Sequence, residues 1–385
     1  MSSLVNWFFR FQKFAVVLGG CYLGLVALLC VPYFQRHMLY LNAVKLPLFA
    51  NFDSPESYGF APNKTYNFKI HTPDHETIGA WFMLPESYYQ SLPSIPVNVS
   101  EHITSALNAR PTILFLHGNA ATRAFHVRVA QYQALNSRLD ANILVIDYRG
   151  FADSTGTPSE EGLVLDARAG WDWLVASGAK GEDVLVMGHS LGTGVGSQLA
   201  AQFGKEGIQS RGLVLLSPFA SIGELLQHYH LFGFIPLIKP LYVIPGAARL
   251  VAWALVHKFD SLHSVKDIAG NVLIAHAQND LEIPDSNSDI LFQAFLDPYL
   301  PDAPVPTLGK LLSPEEWSSF SEAIDARNTK RTEIVMSTTI PKFGRVDEFT
   351  ADGRRVVLVK TLVGSHDFVT SQEGLQDIIR KKFGF

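Results

Sequence analysis

The stretch DVLVMGHSLGTGVGSQLAAQF, residues 183–203, decides the fold. Its apolar run VLVM is typical of a buried strand, and the run that begins at Leu191 is typical of a helix. Between the two lies the motif G-x-S-x-G, in which Gly188 and Gly192 allow a turn too tight for side chains. This strand, turn and helix context predicts that Ser190 is a nucleophile at the carboxyl edge of a sheet. The alternative, an ordinary turn with a capping serine, fits the context less well.

The same strand pattern recurs on both sides of this turn. Short apolar runs alternate with helical stretches at TILFLHG (112–118), NILVIDYRG (142–150), GLVLLSPF (212–219), NVLIAHA (271–277) and RRVVLVKTL (354–362). Continuous apolar strands separated by helices predict an α/β fold, with a mostly parallel central sheet and helices on both faces. A hairpin of residues 66–72 and 77–84 is predicted to precede them.

A serine hydroxyl is a poor nucleophile near neutral pH, so it needs a base that a carboxylate orients. In this type of fold the acid follows the serine in the chain and the histidine follows the acid. Asp280 lies just past the run NVLIAHA, and His366 follows the last strand. We therefore predict a catalytic triad of Ser190, Asp280 and His366, with Glu282 as the alternative acid. Such a triad requires neither a metal nor an organic cofactor.

An oxyanion hole needs two backbone N–H groups that point at one position. We expect one from Leu191, directly after the nucleophile, and the other from Asn119, in the loop after strand 112–118. Arg123 and Arg128 come just after that loop and are candidates for binding a substrate phosphate. Their alternative role is that of solvent-exposed helix charges.

The composition excludes several other classes of protein. The 385 residues carry 31 Lys and Arg against 36 Asp and Glu, so the chain lacks the basic field of nucleic-acid-binding proteins. Two cysteines are too few for a disulfide framework or a cysteine zinc site. We therefore expect a globular chain with no nucleic-acid partner.

Residues 14–35 form an uncharged apolar segment between Lys13 and Arg36. As a helix at about 1.5 Å per residue, this segment would cross a hydrocarbon core of about 30 Å. We predict a transmembrane anchor, preceded by an N-terminal tail (1–13) and followed by a linker (36–60). The alternative is a cleaved signal peptide, which the length of the apolar run disfavours. Basic residues flank both ends, so the charge count alone does not orient the segment.

The remaining residues, 61–385, are predicted to form one domain with two interruptions. Residues 221–266 are apolar and helical and suit a lid, whose part 231–256 could contact a membrane or an acyl chain. Prolines and basic residues within this stretch disfavour a second membrane span. Residues 297–353 lack an apolar period and are predicted to be an insertion.

Four motifs carry a resemblance to a known family: LFLHGNAATR (114–123), DYRGFADSTGTPSEEGL (147–163), GHSLGTGV (188–195) and LLSPFASI (215–222). With them the chain resembles the serine hydrolases of the α/β-hydrolase superfamily. Within that superfamily it is similar to the family of α/β-hydrolase domain-containing protein 12 and its fungal relatives. The similarity covers about residues 55–296 and 354–385, and the chain is longer than that family between them.

The resemblance implies a monoacylglycerol lipase or a lysophospholipid lipase, including one for lysophosphatidylserine. It also implies a single membrane span, a catalytic domain on the lumenal side of the endoplasmic reticulum, and a triad of Ser190, Asp280 and His366. We therefore expect a lipid ester as the substrate and an acyl-enzyme as the intermediate. Two alternatives remain open: a protein or acyl-CoA thioesterase with the same triad, and a non-catalytic membrane adaptor.

Overall fold

A mixed β-sheet lies at the centre of the structure, a computed structural model that describes residues 2–95, 98–228, 230–231, 235–236, 239–302 and 313–385. Within these ranges the strands are β1 (Thr65–His71), β2 (Thr77–Met83), β3 (Thr112–Leu116), β4 (Asn142–Asp147), β5 (Val184–His189), β6 (Gly212–Leu216), β7 (His230–Leu231), β8 (Ile235–Pro236), β9 (Val272–Ala277), β10 (Met336–Ile340), β11 (Gly344–Ala351) and β12 (Arg354–Thr361). Strands β7 and β8 pair with each other, and the others form the central sheet.

Helices cover this sheet and extend from it. Those that the structure describes are α1 (Ser2–Leu29), α2 (Pro32–Tyr40), α3 (Glu86–Ser91), α4 (Ile103–Ala109), α5 (His126–Leu139), α6 (Glu160–Ala176), α7 (Leu191–Glu206), α8 (Ile222–His228), α9 (Ala247–Ala254), α10 (Ser261–Ser264), α11 (Ser286–Leu296), α12 (Pro314–Ile334), α13 (Ser365–Phe368) and α14 (Glu373–Phe383).

The middle of the sheet is parallel, in the strand order β4-β3-β5-β6-β9-β12. Antiparallel strands border it on each side, with β2 and β1 beyond β4 and with β11 and β10 beyond β12. The six parallel strands coincide with the six apolar runs predicted from the sequence, and the predicted hairpin is β1–β2. The predicted fold class is confirmed.

Strand β3 shows how both faces of the sheet are buried. Leu114 and Leu116 belong to the larger apolar core, with α6 and α7, whereas Ile113 and Phe115 belong to a second core with α5 and α14. Successive residues of a strand point to opposite faces, so a continuous apolar run is what two covered faces require. Because the strands are parallel, their carboxyl ends, and the loops that follow them, meet at one edge of the sheet.

The N-terminal helix differs in its limits from the predicted anchor. Helix α1 begins at Ser2 and ends at Leu29, and its stretch Val5–Leu29 is long and apolar enough to cross a membrane. None of its most apolar window is buried against the rest of the protein. Pro32 separates the two helices, because a proline inside a continuous helix would remove a backbone hydrogen bond. It occupies the first position of α2, where its missing N–H costs nothing.

The stretch predicted to be a linker lies against the domain. From the last residue of α2 onward, the carbonyl oxygens of Tyr40, Val44 and Leu46 accept hydrogen bonds from the amides of Ala120, Ala121 and Thr122, at 2.8, 2.7 and 3.0 Å. These amides belong to the loop after β3. The segment that follows the N-terminal helix α1 is therefore bonded to the edge of the sheet where the site is expected.

The predicted lid contains α8, α9 and α10, and the central part 231–256 lies partly outside the described residues. Leu241 and Ala247 are buried there against Val26 and Leu29 of α1 and against the lid helices. The predicted lid region thus packs on the end of the N-terminal helix α1.

The predicted insertion adds to the sheet. Its long helix, α12, has no buried residue. Strands β10 and β11 follow it and pair in sequence with β12. Residues 303–312 of this stretch lie outside the described residues.

Candidate active site

Ser190 occupies the sharp turn between β5 and α7. Its backbone angles are φ 52° and ψ −120°, a conformation that non-glycine residues rarely adopt. A side chain at Gly188 would overlap the backbone of Gly192, and one at Gly192 would overlap the carbonyl of Leu116. As the sequence predicted, neither glycine position has room for a side chain. The turn leaves Ser190 half-buried at the carboxyl edge of the sheet.

Asp280 and His366 meet at the same edge, after β9 and β12. His366 donates from Nδ1 to Oδ2 of Asp280 at 2.8 Å, and both residues are buried. The other carboxylate oxygen of Asp280 accepts the amides of Glu282 and Ile283, at 2.9 and 3.0 Å. These bonds fix the carboxylate, and they place the proton of the neutral His366 ring on Nδ1.

A second histidine holds the same carboxylate, and the sequence reasoning missed it. His276 donates from Nε2 to Oδ2 of Asp280 (3.1 Å) and to the carbonyl of Ile283 (3.0 Å). Its Nδ1 accepts the hydroxyl of Ser288 at 2.7 Å. The available signal was a polar residue inside the buried run NVLIAHA, four positions before Asp280.

The electrostatics of this pair follow from burial and hydrogen bonding. Burial alone would lower the pKa of His366, but the hydrogen bond and charge of Asp280 outweigh it and raise that pKa above its ordinary value. Burial would raise the pKa of Asp280, yet the hydrogen bonds from His276 and His366 bring it well below its usual range. Asp280 therefore stays ionised.

The backbone of His366 lies beside the nucleophile turn. His189, directly before Ser190, donates from Nε2 to the carbonyl of His366 at 2.9 Å, and the hydroxyl of Ser217 donates to the same oxygen at 3.2 Å. Burial, and then the nearby His366, lower the pKa of His189 to about 3. Although Ser190 and His366 are both described, their side chains are not hydrogen-bonded to each other in this structure. The structure thus brings all three predicted triad residues to one edge but leaves the Ser–His bond open.

The loop after β3 contains the predicted oxyanion donor Asn119 and contacts the nucleophile. A Cβ at Gly118 would lie 3.2 Å from that of Ser190. Arg128 donates from Nη2 to the carbonyls of Gly118, Asn119 and Ala120, at 2.9, 2.7 and 2.8 Å. In a planar trans peptide the C=O and N–H groups point in opposite directions. The N–H of Asn119 shares a peptide with the carbonyl of Gly118, which faces Arg128, so this N–H points away from Arg128.

Leu191, the second predicted oxyanion donor, is the first residue of α7. The first N–H groups of a helix have no acceptor within it. Its amide is thus free of the helical hydrogen-bond pattern, directly beside Ser190.

Arg123 and Arg128 do not lie where the sequence reasoning put them. Arg123 is completely buried, and its guanidinium pairs with Asp147 at 2.6 Å and with Asp153 at 2.7 Å. Arg128 is also buried, against the carbonyls of the loop after β3. In this structure both guanidinium groups are bonded to groups of the protein itself, and both side chains are buried rather than solvent-exposed helix charges. The residue types were visible in the sequence, but their acidic and carbonyl partners lie on other elements.

No metal site accompanies these residues: across the described ranges, no three His, Cys, Asp or Glu side chains are grouped closely enough to hold an ion.

Comparison with known proteins identifies the family. Residues 113–373 match the family model described as the alpha/beta hydrolase family. The chain is 32% identical over 279 residues to "Lysophosphatidylserine lipase ABHD12" of Xenopus tropicalis, which covers 71% of this chain and 69% of that protein. It is 30% identical over 251 residues to "Protein ABHD12B" of Homo sapiens, covering 64% and 66%.

A solved structure supports the fold alone. The crystal structure of an alpha-beta hydrolase from Vibrio vulnificus aligns with 91% of this chain and 94% of its own, with a TM-score of 0.55 and 15% sequence identity.

Proposed function

The chain belongs to the alpha/beta hydrolase family, among the relatives of ABHD12, and is a carboxylic ester hydrolase. From this premise we propose that it is a membrane-anchored serine hydrolase that cleaves monoacylglycerols or lysophospholipids. The observation that carries the proposal is the hydrogen bond between His366 and the ionised Asp280, formed beside the strained Ser190. Relatives named as lysophosphatidylserine lipases, 32% identical over about two thirds of their length, support the choice of a lipid ester.

In the proposed reaction Ser190 attacks the ester carbonyl while His366 takes its proton at Nε2. Because Nδ1 donates to Asp280, Nε2 carries the lone pair that this step needs. A side-chain rotation of Ser190 or His366 would close the open Ser–His bond, as is common when substrate binds.

The amides of Asn119 and Leu191 are the proposed donors to the developing oxyanion. His366 then returns its proton to the leaving alcohol, glycerol or a glycerophospho-alcohol, and the acyl group stays on Ser190. Water attacks this acyl-enzyme with His366 again as the base, which releases the fatty acid and restores the serine hydroxyl.

We further propose that α1 is a single membrane span and that the domain lies in the lumen of the endoplasmic reticulum. The unburied apolar stretch Val5–Leu29 supports the span. Two N-x-[ST] sequons, at Asn63 and Asn98, lie on the surface and are compatible with a lumenal domain.

The test compares Ser190→Ala with Ser197→Ala, a control in the helix that follows Ser190, whose buried hydroxyl has no hydrogen-bond partner among the described residues. We expect a fluorophosphonate to label the wild type and Ser197→Ala but not Ser190→Ala. Hydrolysis of monoacylglycerol and lysophosphatidylserine should disappear in Ser190→Ala alone. Labelling that persists without Ser190 would contradict the proposal, and faster turnover of matched thioesters than of oxygen esters would favour a thioesterase.

A further inference from the structure

An apolar cavity of about 180 Å³ lies between the end of the membrane helix and the lid. Its walls are Val26 and Leu29 of α1, Leu226 of α8, Val251 and Leu255 at α9, and Asn119 of the loop after β3. The first five are aliphatic. Asn119, whose backbone amide is a proposed oxyanion donor, is polar, and the polar Gln35 and His257 also belong to the lining.

We propose that this cavity binds the acyl chain of the substrate, so that the membrane helix itself forms a wall of the substrate-binding site. The inference rests on the proposed function, because it takes Asn119 as the point where the ester carbonyl is held. An acyl chain attached to that carbonyl would begin at Asn119 and continue along the aliphatic walls. Its methylene groups would thereby leave water, at about 0.8 kcal/mol each.

The size of the cavity indicates a single chain. Pockets for drug-sized ligands measure about 300–1,000 Å³, and this cavity is smaller than that range. It suits one narrow aliphatic chain better than the two chains of an intact phospholipid. Monoacylglycerols and lysophospholipids carry one chain each.

Gln35 joins two of the elements that line the cavity. Its side chain donates to the carbonyl of Ala254 at 2.6 Å and accepts the amide of Val256 at 3.1 Å, both at the end of α9. Gln35 lies in α2, directly after the membrane helix. Its side chain therefore holds the end of α9 beside the membrane helix.

The outer face of α9 shows how a chain would reach the cavity. Leu250 and Trp253 point outward and are 61% and 82% exposed, whereas Val251 lines the cavity from the same helix. A helix that is apolar on both faces, next to a membrane span, fits the boundary between headgroups and acyl chains. An acyl chain can then move sideways from the bilayer into the cavity without crossing water.

The test fills the cavity from the membrane helix. Leu29→Trp places a bulky ring in the cavity, and Leu28→Trp is the matched control, since Leu28 is the neighbouring residue, 43% exposed and not part of the lining. In full-length protein in lipid nanodiscs, the ratio of long-chain to short-chain monoacylglycerol hydrolysis should fall about tenfold in Leu29→Trp. The ratio for Leu28→Trp should stay within about twofold of the wild type. An unchanged ratio in Leu29→Trp, with Ser190 still labelled by a fluorophosphonate, overturns the inference alone.

A second measurement uses the wild type and does not depend on how a variant folds. A long-chain fluorophosphonate with a photoreactive diazirine at its chain end would be bound to Ser190 and then irradiated. We expect cross-links to the peptides that contain residues 26–30 or 251–255. Cross-links found only elsewhere overturn the inference, and a wild type that the probe fails to label at Ser190 overturns the proposed function as well.

Discussion

His366 lies between two carboxylates that act on different ring nitrogens. Asp280 accepts from Nδ1 at 2.8 Å, whereas a carboxylate oxygen of the exposed Glu282 lies 3.8 Å from Nε2. Burial lowers the pKa of His366, whereas both negative charges raise it, and Asp280 raises it more than Glu282 does. In the proposed mechanism Asp280 fixes the tautomer, and Glu282 adds negative charge near Nε2, the nitrogen that takes the proton of Ser190.

The first prediction concerns pH. His366 can act as a general base only when its ring is neutral. The value of kcat/KM should therefore fall as the pH drops through the pKa of His366, which lies above the ordinary value of about 6.5. In Glu282→Gln one of the raising charges is gone, so the acid limb of the profile should move to lower pH. Asp280→Asn should instead lower kcat by about 10⁴-fold, because the ring loses its oriented tautomer. Rate profiles on a soluble ester check both variants, and a collapse of kcat in Glu282→Gln rather than Asp280→Asn would make Glu282 the triad acid.

The second prediction concerns Arg128, which holds three carbonyls of the loop after β3. Arg128→Lys keeps the charge but cannot bond to all these oxygens in the same geometry. We expect kcat to fall about 10²-fold with little change in KM, since the loop would no longer fix the amide of Asn119. Arg138→Lys is the control, because Arg138 lies on the same helix and pairs with the surface carboxylate of Asp377. Equal kcat values for the two variants would show that Arg128 does not position the oxyanion-binding loop.

At the level of elements, the turn into α7 has a strict steric requirement. A Cβ at Gly192 would overlap the carbonyl of Leu116, whereas at Gly196, one turn later, the nearest atom is 3.4 Å away in ordinary contact. We expect Gly192→Ala to lose at least about 3 kcal/mol of folding free energy. Gly196→Ala should stay within about 1 kcal/mol of the wild type, since alanine favours a helix interior. Denaturation curves measure both, and similar stabilities would show that the turn can relax.

The elements that the sequence predicted best are those buried on both faces. The six parallel strands carry unbroken apolar runs, and the glycines around Ser190 identify the turn. Strands β10 and β11 were missed because β10 is exposed along its whole length and β11 carries Arg345, Asp347 and Glu348. An exposed strand has no apolar face, and charged residues interrupt the apolar alternation of the partly buried β11, so neither strand shows a strong apolar period.

The site was predictable to the extent that chain order and strand ends determine it. Asp280 and His366 follow strand ends, and parallel strands bring those ends together. The partners of Arg123 were not predictable, because Asp147 and Asp153 lie far from it along the chain and leave no spacing in the sequence. For His276 the signal was weak: one polar residue in a buried apolar run, four positions before Asp280. The triad assignment itself stays a prediction until Ser190→Ala is tested.

At the scale of the whole molecule, the proposed topology has a direct test. Asn63 and Asn98 are exposed and lie in N-x-[ST] sequons, so a lumenal domain offers both to the glycosylation machinery. We expect an endoglycosidase to increase gel mobility of the wild type in two steps. Asn63→Gln and Asn98→Gln should each remove one step, and the double variant should not respond. A wild type without glycans would favour the opposite orientation.

Three hydrogen bonds join the end of α2 and the segment after it to the loop of Asn119, so the proposed membrane anchor is connected directly to that loop. A helix whose apolar length does not match the bilayer tilts or shifts its depth. Such a shift would displace Tyr40, Val44 and Leu46, and with them the loop whose Asn119 amide is proposed to bind the oxyanion. We expect turnover of the same ester to peak at one bilayer thickness when vesicles of short-, medium- and long-chain lipids are compared. Inserting Gly-Ser-Gly after Cys30 should flatten that optimum, so that the enzyme no longer responds to the thickness of its membrane.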